Sequence, residues 1–259
     1  MADTIRPVLA GAKALVVGIA NDHSIAYGCA KAFRTAGAEL AITWLNDKAR
    51  AYVEPLAQEL EASITAPLDV SVPGQLEAVF DLIRERWGRL DILVHSIAFA
   101  PKRDLEGGLL DCSAEGFAKA MDVSCHSFVR MAKLAAPMMA DGGTMFAMSY
   151  YGANRVVPNY NVMGPVKAAL EAACRYLAYE LGPQGIRVHA ISPGPLKTRA
   201  ASGLKDFELL LNEAARKAPV GELVDIMDVG YTCAYLATPF ARRVTGGTVY
   251  VDGGTNIVA

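Results

Sequence analysis

The sequence predicts a doubly wound α/β domain, in which a parallel sheet is covered by helices on both faces. Short apolar segments alternate along the chain with longer amphipathic ones, as repeated βαβ units require. The short segments are dense in Val, Ile, Leu and Ala without polar alternation, which is typical of strands buried on both faces. With 259 residues and 53% hydrophobic content the chain can bury one large core, so we expect a single domain over residues 1–259.

The expected elements follow from the apolar runs and from the Gly, Pro, Asn and Asp residues that separate them. We predict strands at residues 14–18, 39–44, 63–68, 91–97, 144–149 and 187–191. We predict helices at residues 24–36, 47–60, 73–87, 114–139 and 160–181. A polar insertion at residues 101–113 interrupts the alternation after the fourth strand.

Composition and charge favour a small molecule as the partner. The formal net charge of −2 provides no general basic field, so we expect no nucleic-acid partner. The five cysteines are scattered and odd in number, which argues against a disulfide framework and favours a reducing, cytoplasmic location. The chain has no apolar leader and no long uncharged apolar run, so we expect no membrane insertion. The four histidines lack any paired ligand spacing, and we expect no metal site.

The junction of the first strand and the first helix has the features of a phosphate-binding turn. Gly18 permits a tight turn, and the helix N-terminus at Ser24 and Ile25 would offer free N–H groups to a pyrophosphate. Ser24 could cap the helix or contact phosphate, and Gly28 would let the helix pack closely on the strand. The spacing departs from G-x-G-x-x-G, so an ordinary strand–helix turn remains an alternative.

The end of the second strand is where a dinucleotide fold distinguishes NAD from NADP. Leu45 supplies neither a carboxylate for a ribose hydroxyl nor a guanidinium for a phosphate. Lys48 and Arg50 lie on the following helix, where we expect them to face solvent. We therefore predict NADH as the cofactor rather than NADPH.

The third and fourth strand ends extend this expected cofactor site. Asp69 and Val70 end the third strand, where the carboxylate could accept a hydrogen bond from the adenine amino group or cap the next helix. Ser96 and Ile97 end the fourth strand, where small side chains would let the backbone approach the cofactor.

A tyrosine and a lysine follow the fifth strand. Ser149 and Tyr150 close that strand, and Tyr160 and Lys167 are expected on the next helix, two turns apart on one face. By itself this spacing also describes an amphipathic helix with one aromatic residue and one surface lysine.

The segment resembles the short-chain dehydrogenase/reductase superfamily, whose mainstream members carry a tyrosine four residues before the active-site lysine. Met163 occupies that place here, and the Tyr-x₆-Lys arrangement is similar to the divergent enoyl-acyl-carrier-protein reductases of bacterial fatty-acid synthesis. Further similarity covers nearly the whole chain. It lies at Gly18 with Ser24 to Gly28, and at residues 95–100, 149–150, 191–198, 200–203 and 251–254.

The resemblance implies a Rossmann-like domain with a seven-stranded parallel sheet and an NADH-dependent reduction of a trans-2-enoyl thioester. Tyr160 would donate a hydrogen bond to the thioester oxygen as it becomes an enolate, and Lys167 would bind the nicotinamide ribose and stabilise nearby negative charge. Tyr150 would orient the thioester, although a tyrosine at a strand end is often only packing. Ala100, Tyr150 and Tyr160 would contact the substrate.

The resemblance also implies features further along the chain. Leu196, Thr198 and Ala200 would contact the cofactor, and residues 196–219 would form a segment that covers the acyl chain or, alternatively, an ordinary surface helix. Cations at positions 197, 199 and 205 would face an acidic acyl carrier protein. The assembly implied is a homotetramer.

Two alternatives remain at this stage. A carbonyl reductase of the same superfamily would act on a 3-oxoacyl thioester, but Met163 stands where its tyrosine would be. A non-catalytic, cofactor-sensing protein would keep the first turn and lose the tyrosine–lysine pair, which this chain retains.

Overall fold

The computed structural model describes residues 7–196, 211 and 215–258. Within them a seven-stranded parallel sheet has the order β3-β2-β1-β4-β5-β6-β7. The strands are β1 (Lys13–Val17), β2 (Glu39–Trp44), β3 (Ile64–Pro67), β4 (Ile92–His95), β5 (Gly143–Met148), β6 (Ile186–Pro193) and β7 (Thr248–Val251). Because β2 and β4 flank β1 on opposite sides, the chain reverses its winding direction between β1 and β4. The predicted doubly wound, parallel fold is confirmed.

Helices cover both faces of the sheet. They are α1 (Ile25–Thr35), α2 (Asp47–Glu59), α3 (Gln75–Trp87), the short α4 (Lys102–Leu105), α5 (Ala114–Met121), α6 (Ser127–Ala135), α7 (Met163–Leu181) and α8 (Ile226–Ala237). One apolar core joins α1, α2 and α8 to the sheet, and a second core on the opposite face joins α3, α5, α6 and α7. Alternate residues of each buried strand enter the two cores, which explains why the strands show no polar alternation.

The predicted helix at residues 114–139 is interrupted by a π-helical turn, Asp122–His126, between α5 and α6. A π turn inserts one extra residue into a helical turn and is often found at functional sites. Ser127 Oγ donates to the carbonyl oxygen of Val123 at 2.7 Å, and Ser124 Oγ is directed away to Phe99. The helical segment therefore has the predicted extent, but its middle is reshaped by side-chain hydrogen bonds.

Gly28 does not serve the helix–strand contact that we predicted. A Cβ at Gly28 would lie 2.1 Å from the carbonyl oxygen of Ile226, at the start of α8, and a Cβ at Gly230 would lie 2.3 Å from the carbonyl oxygen of Gly28. The two glycines allow α1 and α8 to touch backbone to backbone. The sequence placed a close contact correctly at Gly28 but assigned it to the wrong partner.

None of the helices in the described part of the chain is long and apolar enough to cross a membrane. All five cysteines are free thiols, and four of them are buried.

Candidate active site

The predicted site residues that the structure describes belong to segments that follow strand ends at one edge of the sheet. β1, β2, β3, β4, β5 and β6 are parallel, so the residues that follow each of them lie at the same carboxyl edge. In open α/β sheets this edge, at the point where the winding reverses, is where ligands bind. The sheet order thus brings together segments separated by up to about 180 residues, from Gly18 to Leu196.

Gly18, in the first turn, lies unusually close to the backbone that follows β4. Its φ of +112° is a conformation that other residues rarely adopt, and a Cβ here would lie 2.1 Å from the carbonyl oxygen of Ser96. Ser24 occupies the N-cap position of α1 without capping it. Its Oγ instead accepts from the N–H groups of Ala20 and Asn21, at 3.0 and 3.1 Å. Ser24 therefore shapes the turn, and the first N–H groups of α1 beside Ile25 are left uncapped by it.

The end of β2 presents an apolar and aromatic surface. Trp44 is buried, whereas Leu45 is 55% exposed. Arg50 is exposed as predicted; its guanidinium carbon lies 5.3 Å from the centre of the Trp44 ring, and its Nη2 donates to Glu54 at 2.9 Å. Leu45, the residue that follows β2, carries no cation for a phosphate, which agrees with the predicted preference for NADH.

The end of β3 is held by two separate contacts. Asp69 Oδ1 accepts from the N–H of Ser71 at 2.8 Å, whereas α3 has Gly74 at its N-cap, so Asp69 caps a turn and not the helix. The carbonyl oxygen of Val70 accepts from Arg130 Nη2, on α6, at 3.0 Å. The second oxygen of the Asp69 carboxylate is the acceptor that an adenine amino group would use.

The segment after β4 is anchored to the π turn. Ser124 Oγ accepts from the N–H of Phe99 at 2.9 Å and donates to the carbonyl oxygen of the same residue at 3.0 Å. Ser96 and Ile97 are partly exposed at the sheet edge, while Ala100 is buried. One hydroxyl therefore fixes the backbone between the predicted cofactor residues and the predicted substrate residue.

Tyr150 and Tyr160 form an edge-to-face pair, with ring centres 5.0 Å apart and an interplanar angle of 67°. The hydroxyl of Tyr150 is buried and has no hydrogen-bond partner among the described residues. Burial raises the pKa of both phenols, and the negative charge of Glu171 raises that of Tyr160 further. Both phenols consequently keep their protons at neutral pH and can donate hydrogen bonds.

Tyr160 lies before α7 and not within it, which corrects the predicted helix at residues 160–181. α7 begins at Met163. Asn159 and Asn161, on either side of the tyrosine, have φ values of +63° and +45°, and Asn161 Nδ2 donates to the carbonyl oxygen of Leu105 at 2.6 Å. Asparagine tolerates left-handed backbone better than most residues, so the Asn-Tyr-Asn sequence was the signal for a turn.

Lys167 is buried in α7, with an exposed fraction of 4%. Its Nζ donates to the carbonyl oxygen of Met148, the last residue of β5, at 2.6 Å. Burial lowers the pKa of this lysine to about 8, against the opposing effect of neighbouring thiols and Glu171. The lysine is thus a cation near neutral pH that loses its proton in the mildly alkaline range.

Gly152 leaves room for the ring of Tyr160. A Cβ at Gly152 would lie 2.7 Å from Cδ1 and 2.9 Å from Cε1 of that ring, closer than a Cβ can approach. Because misplacing a catalytic group by about 1 Å can cost roughly 10²-fold in rate, we expect Gly152→Ala to lower kcat by about that factor. NADH affinity should stay unchanged.

Steady-state kinetics and a cofactor titration would check this prediction for Gly152. Gly182→Ala is the matched control, because no atom of the described residues lies within 4 Å of a Cβ at Gly182. A Gly152→Ala enzyme with the wild-type kcat would show that Tyr160 needs no such clearance.

The loop after β6 closes one side of the site. Leu196 is buried, and beside it a cavity of about 260 Å³ is lined by His23, Pro195, Leu196, Leu211, Leu223, Val224, Asp225 and Ile226. Leu211, which belongs to the predicted covering segment, is part of this lining. Thr198, Ala200 and the cations at positions 197, 199 and 205 lie outside the described residues.

The carboxyl edge of the sheet has the features that a dinucleotide site requires. Gly18 admits close backbone approach, the start of α1 offers uncapped N–H groups, and Asp69 retains a free acceptor. The sequence analysis did not identify the residues whose hydrogen bonds hold the segments of the site in place. These are chiefly Ser124, Asn154, Asn161 and Glu171. Their signal lies in contacts between distant segments, which a single sequence does not display.

Comparison with known proteins adds an independent finding. Residues 18–256 match the family described as Enoyl-(Acyl carrier protein) reductase. The chain is 47% identical over 248 residues to Enoyl-[acyl-carrier-protein] reductase [NADH] 1 of Rhizobium meliloti, covering 96% of this chain and 91% of the relative. It is 45% identical over 252 residues to Enoyl-[acyl-carrier-protein] reductase [NADH] of Salmonella typhimurium, covering 97% of this chain and 96% of the relative.

A solved structure is similar over the same extent. The enoyl-(acyl-carrier-protein) reductase of Anaplasma phagocytophilum, in complex with NAD, superposes with a TM-score of 0.93 at 44% identity. The alignment covers 97% of this chain and 96% of that one.

Proposed function

The chain belongs to the enoyl-[acyl-carrier-protein] reductase family, and on this premise we propose that it uses NADH to reduce the carbon–carbon double bond of a trans-2-enoyl thioester. The observation that carries the proposal is the placement of three side chains. The Tyr150 and Tyr160 phenols meet at the carboxyl edge, with the Lys167 ammonium behind the end of β5. Met163, where a carbonyl reductase would have its tyrosine, is buried and has no proton to donate.

In the proposed reaction a bound reduced nicotinamide would supply a hydride to the β-carbon of the enoyl thioester, and a proton taken up from the medium at the α-carbon would complete the reduction. On hydride addition, negative charge develops on the thioester oxygen, and a donor aimed at that oxygen lowers the barrier. Tyr160 is that donor, because its raised pKa keeps the phenol protonated. Tyr150, whose buried hydroxyl has no partner among the described residues, is placed to hold the same thioester.

Lys167 acts on the cofactor side. Its ammonium is fixed to the carbonyl oxygen of Met148, and its remaining protons can bind the ribose hydroxyls of the cofactor. Its positive charge, in a buried setting, also stabilises negative charge that forms nearby. Gly18, Ser24, Ile25, Asp69 and the Ser96–Ile97 backbone form the cofactor surface. NADH is preferred because Leu45, at the end of β2, carries no cation for a phosphate, and the relatives are named for NADH.

The proposal is tested by following NADH oxidation by the purified protein with three substrates. We expect turnover with crotonyl or longer enoyl thioesters, and tenfold less or none with a 3-oxoacyl thioester. Faster turnover of the oxoacyl substrate would favour the carbonyl-reductase alternative. NADH binding without turnover of either class would favour the sensing alternative.

The natural substrate is proposed to be carried on acyl carrier protein, and the chain is proposed to act as one catalytic domain in the cytoplasm. The names of the relatives support acyl carrier protein as the carrier, and the five free cysteines agree with a reducing compartment. The two cores share one sheet, which supports a single domain.

We further propose a homotetramer. Large aromatic side chains are exposed on α7 and α8, among them Tyr176 and Tyr179, the latter 85% exposed. Such surfaces are typical of sites that a partner covers. Sedimentation equilibrium should give about four times the 27.5 kDa of the chain. A monomer mass that does not change with protein concentration would contradict the homotetramer. It would not bear on the proposed reaction.

A further inference from the structure

Glu171 is a buried carboxylate that the reaction described above does not use. It lies on α7, one helical turn beyond Lys167, and is 4% exposed. Carboxylates are almost never fully buried unless paired or hydrogen-bonded, because removing their charge from water is costly. The position of Glu171 beside the reacting residues therefore requires a physical reason.

The first reason lies in what the carboxylate binds. Ser149 Oγ donates to Glu171 Oε1 at 2.6 Å, and Asn154 Nδ2 donates to Glu171 Oε2 at 3.1 Å. Both contacts are donations into the carboxylate, as an acceptor-only ion requires. Ser149 immediately precedes Tyr150, and Asn154 follows the turn Tyr151–Ala153. The carboxylate thus holds both ends of the segment that carries Tyr150.

The second reason is charge. The titratable groups whose charge raises the pKa of Lys167 are, from the largest effect, Cys125 on the π turn and then Cys174 and Glu171 on α7, while the charge of Lys167 itself lowers the pKa of His95 on β4. Burial lowers the pKa of His95 to about 3 and raises the pKa of both thiols, so these three groups are neutral at pH 7. Glu171 is the one carboxylate in this set within the described residues.

Glu171 also acts on the tyrosine. Its charge raises the pKa of Tyr160, in addition to the larger effect of burial. The carboxylate therefore adds to the effects that favour the protonated forms of Lys167, which must be a cation, and of Tyr160, which must be a donor. Both effects serve the protonation states that the reaction uses.

We propose that Glu171 is a positioning residue of this reductase, which holds the Tyr150 segment through Ser149 and Asn154 and provides the counter-charge of Lys167. The inference rests on the proposed function for its catalytic consequence. The effect of Glu171 on Lys167 does not depend on the enoyl substrate, because Lys167 is proposed to bind the cofactor.

The experiment compares Glu171→Gln with the wild type in two measurements. The first is the NADH dissociation constant as a function of pH, from cofactor fluorescence. In the wild type, binding should weaken as the pH rises through about 8, where Lys167 loses its proton. In Glu171→Gln that midpoint should move to lower pH by roughly one unit, because a neighbouring negative charge is lost. The second measurement is kcat with crotonyl thioester, which should fall roughly tenfold at pH 7.

Two further variants separate charge from position. Ser149→Ala keeps the carboxylate and removes one of its donors, so kcat should fall while the pH midpoint stays in place. Glu180→Gln removes an exposed carboxylate from the same helix and should change neither quantity. An unmoved midpoint in Glu171→Gln would overturn the proposed counter-charge.

If Glu171→Gln does not fold, Ser149→Ala and Asn154→Ala decide the positional role. Each should lower kcat without changing NADH affinity, and wild-type kcat in both would overturn the proposal. A wild-type protein that binds NADH but reduces no enoyl thioester would contradict the proposed function instead, while the pH titration would still test Glu171.

Discussion

Tyr160→Phe should lower kcat for an enoyl thioester by roughly 10²–10³-fold, the usual effect of removing one donor from a developing oxyanion. The substitution removes only the hydroxyl and keeps the ring packed at the 5.0 Å separation from Tyr150. The structure of the site and the affinity for NADH should therefore be retained. Steady-state kinetics with crotonyl thioester, together with cofactor titration, would measure both quantities.

Tyr52→Phe is the matched control for this prediction. It removes the same hydroxyl from a tyrosine that is 57% exposed on α2, away from the site and from the proposed interface. Its kcat should equal that of the wild type. If Tyr160→Phe also retained the wild-type kcat, Tyr160 would not be the donor, and the buried hydroxyl of Tyr150 would become the leading candidate.

Lys167→Met should weaken NADH binding by ten- to a hundredfold. A hydrogen bond to a charged group contributes about 1.5–3 kcal/mol, which corresponds to that range. Methionine keeps most of the buried volume of the lysine stem, so the loss should reflect the ammonium and not a cavity. Fluorescence titration of NADH measures the affinity directly, without enoyl substrate.

The pH dependence provides a second measurement for Lys167. Burial disfavours the charged form, so the amine loses its proton at a pH near 8, well below its ordinary value. NADH affinity of the wild type should fall as the pH rises through this range, and Lys167→Met should lack that fall. Lys31→Met, at an exposed position on α1, is the control. Wild-type affinity in Lys167→Met would eliminate the proposed ribose contact.

The sequence alone predicts a structural feature correctly where the cause of that feature lies in neighbouring residues. The strands and most helices follow from apolar periodicity, and all six strands predicted from it are present. Gly18 was identified because a tight turn before a helix requires glycine, and its φ of +112° agrees. The Tyr160 and Lys167 pair was predicted from a Tyr-x₆-Lys spacing that resembles the divergent enoyl reductases, with Met163 where other members carry a tyrosine, and its role stays a prediction.

Local reasoning failed where a distant segment decides the conformation. Periodicity extended α7 back to Tyr160, but Asn159 and Asn161 adopt left-handed backbone, and Asn161 is held by Leu105, far away in the chain. Periodicity likewise predicted an uninterrupted helix through the π turn, where Ser124 binds the backbone of Phe99 instead.

The sequence by itself determined the fold class and predicted the cofactor turn and the reacting pair, because each depends on residue types at short, regular spacings. Tertiary structure alone decided how those groups are held. The bonds from Lys167 to Met148 and from Ser149 to Glu171 join residues about 20 positions apart. Such contacts arise only after β5 and α7 pack against each other, and no periodicity or spacing in a single sequence specifies which side chains then meet.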